Sequence, residues 1–200
     1  YDAVLITIGA STDKKLGLEG EDAEGVMSAV QFLRNIGKNI ITDLAGKEVA
    51  VIGGGNVSMD AVRTAKRLGA KKVSIVYRRR MADMTALPGE INGAVAEGIE
   101  LQTLKAPAAI DVDENNHVKG IYVTPQMVST IKNGRASVRP TGEDDIYIPC
   151  DVLVVAIGQN IETAHFEAAG IPVSRGKILT TSTGAVEDMP DVYAGGDCSS

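Results

Sequence analysis

Apolar residues fall into two kinds of run along this chain. Asp2 to Ile8, Glu48 to Ile52, Lys72 to Tyr77, Ile99 to Lys105 and Asp151 to Ile157 are short and, for the most part, nearly continuous. Such runs suit strands buried on both faces, as in parallel sheets. Other apolar residues recur at helical spacing. Val26, Val30, Leu33 and Ile36 predict a helix stopped by Gly37. Ser58, Ala61, Val62, Ala65 and Leu68 predict an amphipathic helix with a small-residue face, ending at Gly69. Glu90 to Glu97 predicts a third, with Ile91, Ala94 and Val95 inward and Gly98 as its cap. Ser11 to Gly25 and Met81 to Pro88 read as loops. From Pro107 to Ile148 short β-rich runs alternate with turns at Glu114-Asn115-Asn116 and Lys132-Asn133-Gly134, which predicts a β-meander. The expected architecture is α/β in three layers (β/β/α): a central parallel sheet, helices on one face and the meander on the other.

One internal similarity bears on domain organisation. The segments Tyr1–Gly9 (YDAVLITIG) and Cys150–Gly158 (CDVLVVAIG) align without a gap, Asp2 with Asp151, Ile8 with Ile157 and Gly9 with Gly158. Two buried strands can look alike for that reason alone. Alternatively, each strand closes a nucleotide-binding sheet and passes the chain between two domains, with the segment from about Gly9 to Asp151 inserted into the other.

Composition narrows the chemistry. The 200 residues carry 20 Lys plus Arg against 26 Asp plus Glu, a net charge of −6. That argues against a broad nucleic-acid footprint, while leaving room for a local basic site for a small anion. No apolar run approaches the ~20 residues of a membrane span. Trp is absent and Phe occurs twice, so the expected core is aliphatic. The two cysteines, Cys150 and Cys198, form neither a CxxC nor a disulfide framework, and a reducing, cytoplasmic setting is expected. No signal peptide is read at Tyr1, and both ends read as cuts through a larger protein.

The loop Gly53-Gly54-Gly55-Asn56-Val57-Ser58 fits G-x-G-x-x-(small). Its context, strand before, helix after and a second strand beyond, is that of a Rossmann-like NAD(P)-binding βαβ unit. Gly53 permits the tight turn, Gly55 lets a pyrophosphate approach the backbone, and Ser58 keeps helix and strand close. The helix N-terminus offers N–H groups and a positive dipole end to the phosphates. A tight glycine turn with no ligand is the bland alternative. A Walker loop is excluded, because no Gly-Lys-Ser/Thr comes after it. At the end of the second strand, where an NAD site places an acid for the ribose 2′-OH, stand Arg78-Arg79-Arg80. Guanidinium groups hold a 2′-phosphate by charge-assisted bonds, so NADP(H) is expected over NAD(H), with Arg78 and Arg79 ahead of Arg80. A solvated basic turn is the alternative.

These residues resemble a family. The run VAVIGGGNVSMDAVRTAKRLGA, followed by VSIVYRRR, AIGQN and VYAGGDCSS, is similar to the NADPH-dependent flavoprotein subunit of glutamate synthase and its relatives in the pyridine nucleotide-disulfide oxidoreductase superfamily. The resemblance covers essentially the whole chain. It implies that Gly53, Gly55, Asn56 and Ser58 form the pyrophosphate loop and that Arg78 and Arg79 hold the 2′-phosphate. It places Gly158 and Gln159 beside the bound nicotinamide nucleotide, and Gly9 and Ala10 at the turn where the chains of the FAD and NADPH domains cross. It implies that Asp197, after Gly196, touches the FAD ribityl chain. The domain organisation so implied is residues 1–10 as a stub of an FAD domain, 11–150 as the NADPH domain, and 151–200 as a returning strand with part of the FAD domain. NADPH would pass hydride to flavin N5, with no protein acid or base required at that step. Electrons would go on to iron–sulfur clusters and a partner subunit. A non-catalytic NADPH sensor, or the same domain of a ferredoxin–NADP transhydrogenase or sulfide dehydrogenase, are the alternatives.

Departures from the family pattern are equally specific. Its FAD-binding glycine loop and iron–sulfur segment are expected upstream of Tyr1, and the closing helix of its FAD domain after Asp197. The redox CxxC of the disulfide-reducing branches is missing, so thiol chemistry is not expected. Cys198 reads as a small loop residue and Cys150 as a packed one. His117 and His165 have no Cys or His at ligand spacing, so no metal site is expected. Glu90 and Glu97 read as a solvated helix face, and Lys132 to Arg139 as a hairpin tip.

Overall fold

In the computed structural model, which describes Tyr1–Ser199, the chain forms two compact units. One is discontinuous, Tyr1–Lys14 with Gly158–Ser200; the other is the continuous stretch Lys15–Ile157. The chain opens in the smaller unit with β1 (Val4–Ile6) and β2 (Thr12–Asp13). It then builds the larger unit from β3 (Val26–Ser28), α1 (Ala29–Gly37), β4 (Glu48–Ile52), α2 (Asn56–Arg67), β5 (Lys72–Tyr77), α3 (Pro88–Ala96) and β6 (Glu100–Thr103). Next come β7 (Lys105–Val112), β8 (Val118–Lys132), β9 (Arg135–Pro140) and β10 (Ile146–Pro149), and then β11 (Val152–Val155).

The central sheet has the order β3-β11-β4-β5-β6 and its neighbours run parallel. The β11 strand comes last in sequence yet sits between β3 and β4, so the helix after β3 carries the chain across a place that β11 later fills. Alternation along β4 explains the two hydrophobic faces. Val49 and Val51 pack with Phe32, Met59, Val62 and Ala94 of the helices, whereas Ala50 and Ile52 pack with Ile110, Ile121, Val123 and Ile148 of the meander. The expected three-layer β/β/α architecture is borne out. Asn133 (φ 49°) and Gly134 (φ 76°) supply the two left-handed residues that close the β8–β9 hairpin.

Several expectations need correction. Helical spacing places Val26 in the first helix, but Val26–Ser28 is a strand paired with Leu153–Val155. The Ser28 side chain accepts a hydrogen bond from Gln31 N (3.1 Å) and so starts the helix at Ala29. Val95 is 49% exposed, so only Ile91 and Ala94 of that trio are buried. The third helix begins at Pro88, a residue suited to a first helical turn. The run Ile99 to Lys105 is divided at Leu104 (φ 55°) into β6 and β7. The compact units divide at 14/15 and 157/158: β2 pairs with β12 of the smaller unit, and β11 is hydrogen-bonded into the large sheet.

The smaller unit is completed by β12 (Gln159–Asn160), α4 (Ala164–Ala168), β13 (Val173–Ser174), β14 (Lys177–Ile178) and β15 (Val192–Ala194). The β1 strand lies parallel to β15, and β2 lies antiparallel to β12. A separate core of Ile6, Ile178, Val186, Ala194 and Cys198 holds it. The β1 strand is not buried on both faces: Ile6 is, but Val4 and Leu5 are 55% and 67% exposed. Gly9 (φ 63°) and Gly158 (φ 109°), equivalent in the internal repeat, both adopt positive-φ backbone just after their strands.

Candidate nucleotide-binding site

The register of β4 and β5 pairs Ile52 with Val76, so both strands end side by side at the C-terminal edge of the parallel sheet. That edge is where open α/β sheets place their ligands. Gly53 to Ser58 leave the first strand, and Arg78 to Arg80 leave the second.

The three consecutive glycines are needed for different reasons. Gly53 has φ 148°, and a Cβ there would lie 2.3 Å from Ala156 O and 2.5 Å from Ser58 Oγ. A Cβ on Gly54 would lie 2.7 Å from the Tyr77 ring. Both are therefore demanded by the fold itself. Gly55 is different: its backbone is ordinary and extended (φ −98°, ψ 176°), and the nearest atom to an added Cβ is Thr85 Oγ1 at 3.5 Å. The open space at Gly55 is a cradle that a side chain would fill. It lies at the N-cap of α2, which no side chain caps, so the partial positive charge of the helix end faces outward there. Ser58 Oγ is buried beneath the loop without a hydrogen-bond partner. The donors, the free space and the orphaned hydroxyl fit a pyrophosphate at this turn. Asn56 plays a second part, since its Oδ1 accepts from Leu87 N at 2.9 Å. Val57 is exposed on the first turn of the helix.

The basic turn is more ordered than its sequence suggests. Arg78 is exposed and Arg79 partly buried. Arg79 Nε donates to Ala136 O (2.9 Å), on the β8–β9 hairpin. Arg80 binds Asp83 through Nε (2.8 Å) and Nη2 (2.9 Å), and its backbone N–H also donates to that carboxylate (3.2 Å). Ala136 N donates to the same group at 2.9 Å. The Arg80 guanidinium first, then the Ala136 N–H, hold the Asp83 carboxyl well below the usual carboxylate range, against the opposing effect of desolvation. Arg80 is thus engaged by a side chain of its own turn. Tyr77 OH donates to Asp83 O at 2.7 Å. Thr85 N and Ala86 N both donate to Gly54 O, at 2.9 and 3.0 Å. The segment 83–87 therefore joins the basic turn to the glycine loop. Sequence reasoning passes over Asp83, Thr85 and Ala136. An Arg-x-x-Asp spacing is the available signal for the first, and none exists for Ala136, whose partner Asp83 lies 53 residues away.

The other candidates take different places. Glu90 and Glu97 are not a solvated face: Arg63 binds them at 2.6 and 2.8 Å, and Arg67 binds Glu97 at 2.8 Å. These pairs clasp α3 to α2, and the Arg63 contact leads in lowering the Glu97 carboxyl. His117 pairs with Glu24 at 2.9 Å, and His165 lies against Phe166. Among the described residues no cluster of His, Cys, Asp and Glu could hold a metal ion. Cys150 and Cys198 are both buried, and burial pushes the Cys150 thiol up to about 12. Gly9, Ala10, Gly158, Gln159, Gly196 and Asp197 all belong to the smaller unit. There Gln159 pairs with Asp13 in β12, Gly158 is exposed, and Asp197 is exposed on the short turn Gly196–Cys198. Among the described residues no helix is long and apolar enough to cross a membrane.

The chain is 36% identical over 200 residues to the NADP(+)-dependent formate dehydrogenase subunit beta of Moorella thermoacetica, covering 98% of this chain and 28% of that protein. It is 32% identical over 214 residues to the glutamate synthase [NADPH] small chain of Escherichia coli (strain K12), covering 98% of this chain and 45% of that one. It therefore spans less than half the length of these relatives. Among solved structures, Mycobacterium tuberculosis FprA in complex with NADPH superimposes with a TM-score of 0.76 at 21% identity, over 100% of this chain and 58% of that one. T. acidophilum thioredoxin reductase does so with a TM-score of 0.77 at 21% identity, over 99% and 58%. These two establish the fold. Residues 1–200 match the family described as pyridine nucleotide-disulphide oxidoreductase, and the chain belongs to that family.

Proposed function

We propose that the larger unit binds NADPH and that this chain is the nicotinamide-nucleotide part of a flavin-dependent oxidoreductase. The observation that carries the reading is the pairing of an open Gly55 cradle at a helix N-terminus with a basic turn on the next strand. The α2 N-terminus and the backbone of Gly53 to Ser58 hold the pyrophosphate. Arg78 and the terminal nitrogens of Arg79 hold the 2′-phosphate, where an acid would repel it. When bound, the reduced nucleotide supplies hydride to a flavin, and the protein contributes position and electrostatics. No side chain of this chain is assigned as an acid or base.

The smaller unit belongs, on this reading, to a flavin domain whose remaining segments complete it. The β1–β15 pair supports the idea, because parallel strands ordinarily have both faces covered and Val4 and Leu5 are exposed. By resemblance, Gly196 and Asp197 enter as flavin contacts, Gly158 and Gln159 as neighbours of the bound nicotinamide nucleotide, and Gly9 and Ala10 as the turn where the chains of the two domains cross. A partner subunit is carried over from the glutamate synthase small chain and the formate dehydrogenase beta subunit, whose names make them subunits of larger assemblies; passage of electrons to iron–sulfur clusters rests on the family resemblance alone.

The test is anaerobic stopped-flow mixing of the full-length flavoprotein with each nucleotide. Flavin bleaching by NADPH at a rate well above that with NADH is expected. A protein whose flavin is bleached equally by both would refute the NADPH assignment, and one bleached by neither would refute the oxidoreductase assignment.

A further inference from the structure

Asp83 lies outside any role assigned so far, yet among the described residues it is the one buried residue with a charged side chain. Its carboxylate accepts from Arg80 N, Nε and Nη2 and from Ala136 N. Ala136 is itself buried, and its N–H and C=O are taken by Asp83 and by Arg79 Nε. Two side chains from Arg79 to Asp83 thus cap one residue of the β8–β9 hairpin from both sides. A buried carboxylate with four donors is well compensated, and a buried one deprived of them is costly.

We infer that Asp83 is a positioning residue for dinucleotide selectivity: it anchors the Arg78–Arg80 turn to the hairpin, so that Arg79 and Arg78 are held in place for a 2′-phosphate. This rests on the NADPH reading above. Long arginine side chains carry rotamer freedom that is lost when they are fixed, and a turn already ordered loses less of it on binding. Arg79 Nε is committed to Ala136 O, which fixes the guanidinium plane while leaving its terminal nitrogens for a ligand. Arg80 acts as a strut between its own backbone and Asp83, so the selectivity belongs to its two neighbours.

The inference has a sign that simple electrostatics does not share. Asp83 carries negative charge close to where a dianion is to bind. If charge alone mattered, Asp83→Asn would tighten NADPH binding. If positioning matters, the same change weakens it: an amide oxygen at the Oδ1 place still accepts from Arg80 Nη2 and Ala136 N, but the amide NH2 then stands where Oδ2 accepted from Arg80 N and Nε and faces two donors. The ligands NADPH and NADH differ only in the 2′-phosphate, so NADH reports damage to the rest of the site.

The experiment is calorimetric titration of both nucleotides into the full chain, wild type, Asp83→Asn and Tyr77→Phe, with thermal melts of each. Expected for Asp83→Asn is a roughly tenfold fall in NADPH affinity with NADH affinity unchanged. Tyr77→Phe removes only the hydroxyl that holds Asp83 O, alters no charge and keeps the ring against Gly54. It is expected to lower the NADPH-to-NADH ratio in the same direction by a smaller factor. An unchanged or increased ratio in Asp83→Asn overturns the inference. If that variant does not fold, Tyr77→Phe decides, and an unchanged ratio there overturns it. A wild-type chain with no preference for NADPH would instead overturn the underlying nucleotide assignment.

Discussion

Gly55→Val separates the demands of the fold from those of a ligand. The backbone at Gly55 is extended (φ −98°) and a β-branched residue adopts it freely. The nearest atom to the new Cβ, Thr85 Oγ1, lies at 3.5 Å, an ordinary contact. The stability cost is then that of a poorer helix N-cap, about 1 kcal/mol, which in a chain of this size lowers Tm by roughly 2–4 °C. The effect on binding is of another order. The valine methyl groups occupy the place where a pyrophosphate must meet the N–H groups of the turn. Loss of two charge-assisted hydrogen bonds, at about 1.5–3 kcal/mol each, removes about 3–6 kcal/mol, a fall in affinity of roughly a hundredfold or more. Gly54→Ala is the contrasting control. Its Cβ lies 2.7 Å from the Tyr77 ring, so it is expected to destabilise the fold by about 1–3 kcal/mol through overpacking. Thermal melts by circular dichroism and NADPH titration by calorimetry, on the same preparations, measure both quantities. A folded Gly55→Val variant with near wild-type NADPH affinity would refute the reasoning and make the loop purely structural.

Burial and the single glycine loop lead to two further outcomes. Burial lifts the Cys150 thiol from 9.0 to about 12, so the stability this neutral thiol contributes is complete below the unfolded value and lost as pH rises from there toward 12. At about pH 8, below the ordinary thiol range, iodoacetamide is expected to leave the native chain unlabelled and to label Cys150 and Cys198 only in denaturant; rapid native labelling contradicts the buried placement of both. The 200-residue chain is expected to purify colourless, since its single glycine loop is paired with a basic turn suited to NADPH; stoichiometric FAD in the absorbance spectrum would show that the loop serves a flavin.

Legibility in the sequence tracks the range of the forces involved. The strands at Glu48–Ile52 and Lys72–Tyr77 have the predicted bounds because both faces are buried and each is ended by a local signal, Gly53 or Arg78. The β3 strand escapes a local reading because Val26 shares helical spacing with Val30, while the pairing that makes it a strand comes from Leu153–Val155. Val4 and Leu5 look like core residues, yet a two-stranded pair leaves them exposed. The glycine loop is legible locally as a G-x-G-x-x-(small) run between a strand and a helix, although the atoms that demand Gly53 and Gly54, Ala156 O and the Tyr77 ring, lie far from it in sequence. The ordering of the basic turn is not, because Ala136 supplies half of it across the hairpin. Glu90 and Glu97 look solvated for the same reason: their partner Arg63 lies on a different helix.

The most direct test of the central claim is a pair of calorimetric titrations, NADPH and NADH, against the wild-type chain and against its Arg78→Ala, Arg79→Ala double variant. Charge-assisted bonds of about 1.5–3 kcal/mol each lead to an expected wild-type preference for NADPH of roughly tenfold or more. The double variant is expected to lose that preference while keeping its NADH affinity. Equal affinities of the wild-type chain for the two nucleotides would contradict the claim.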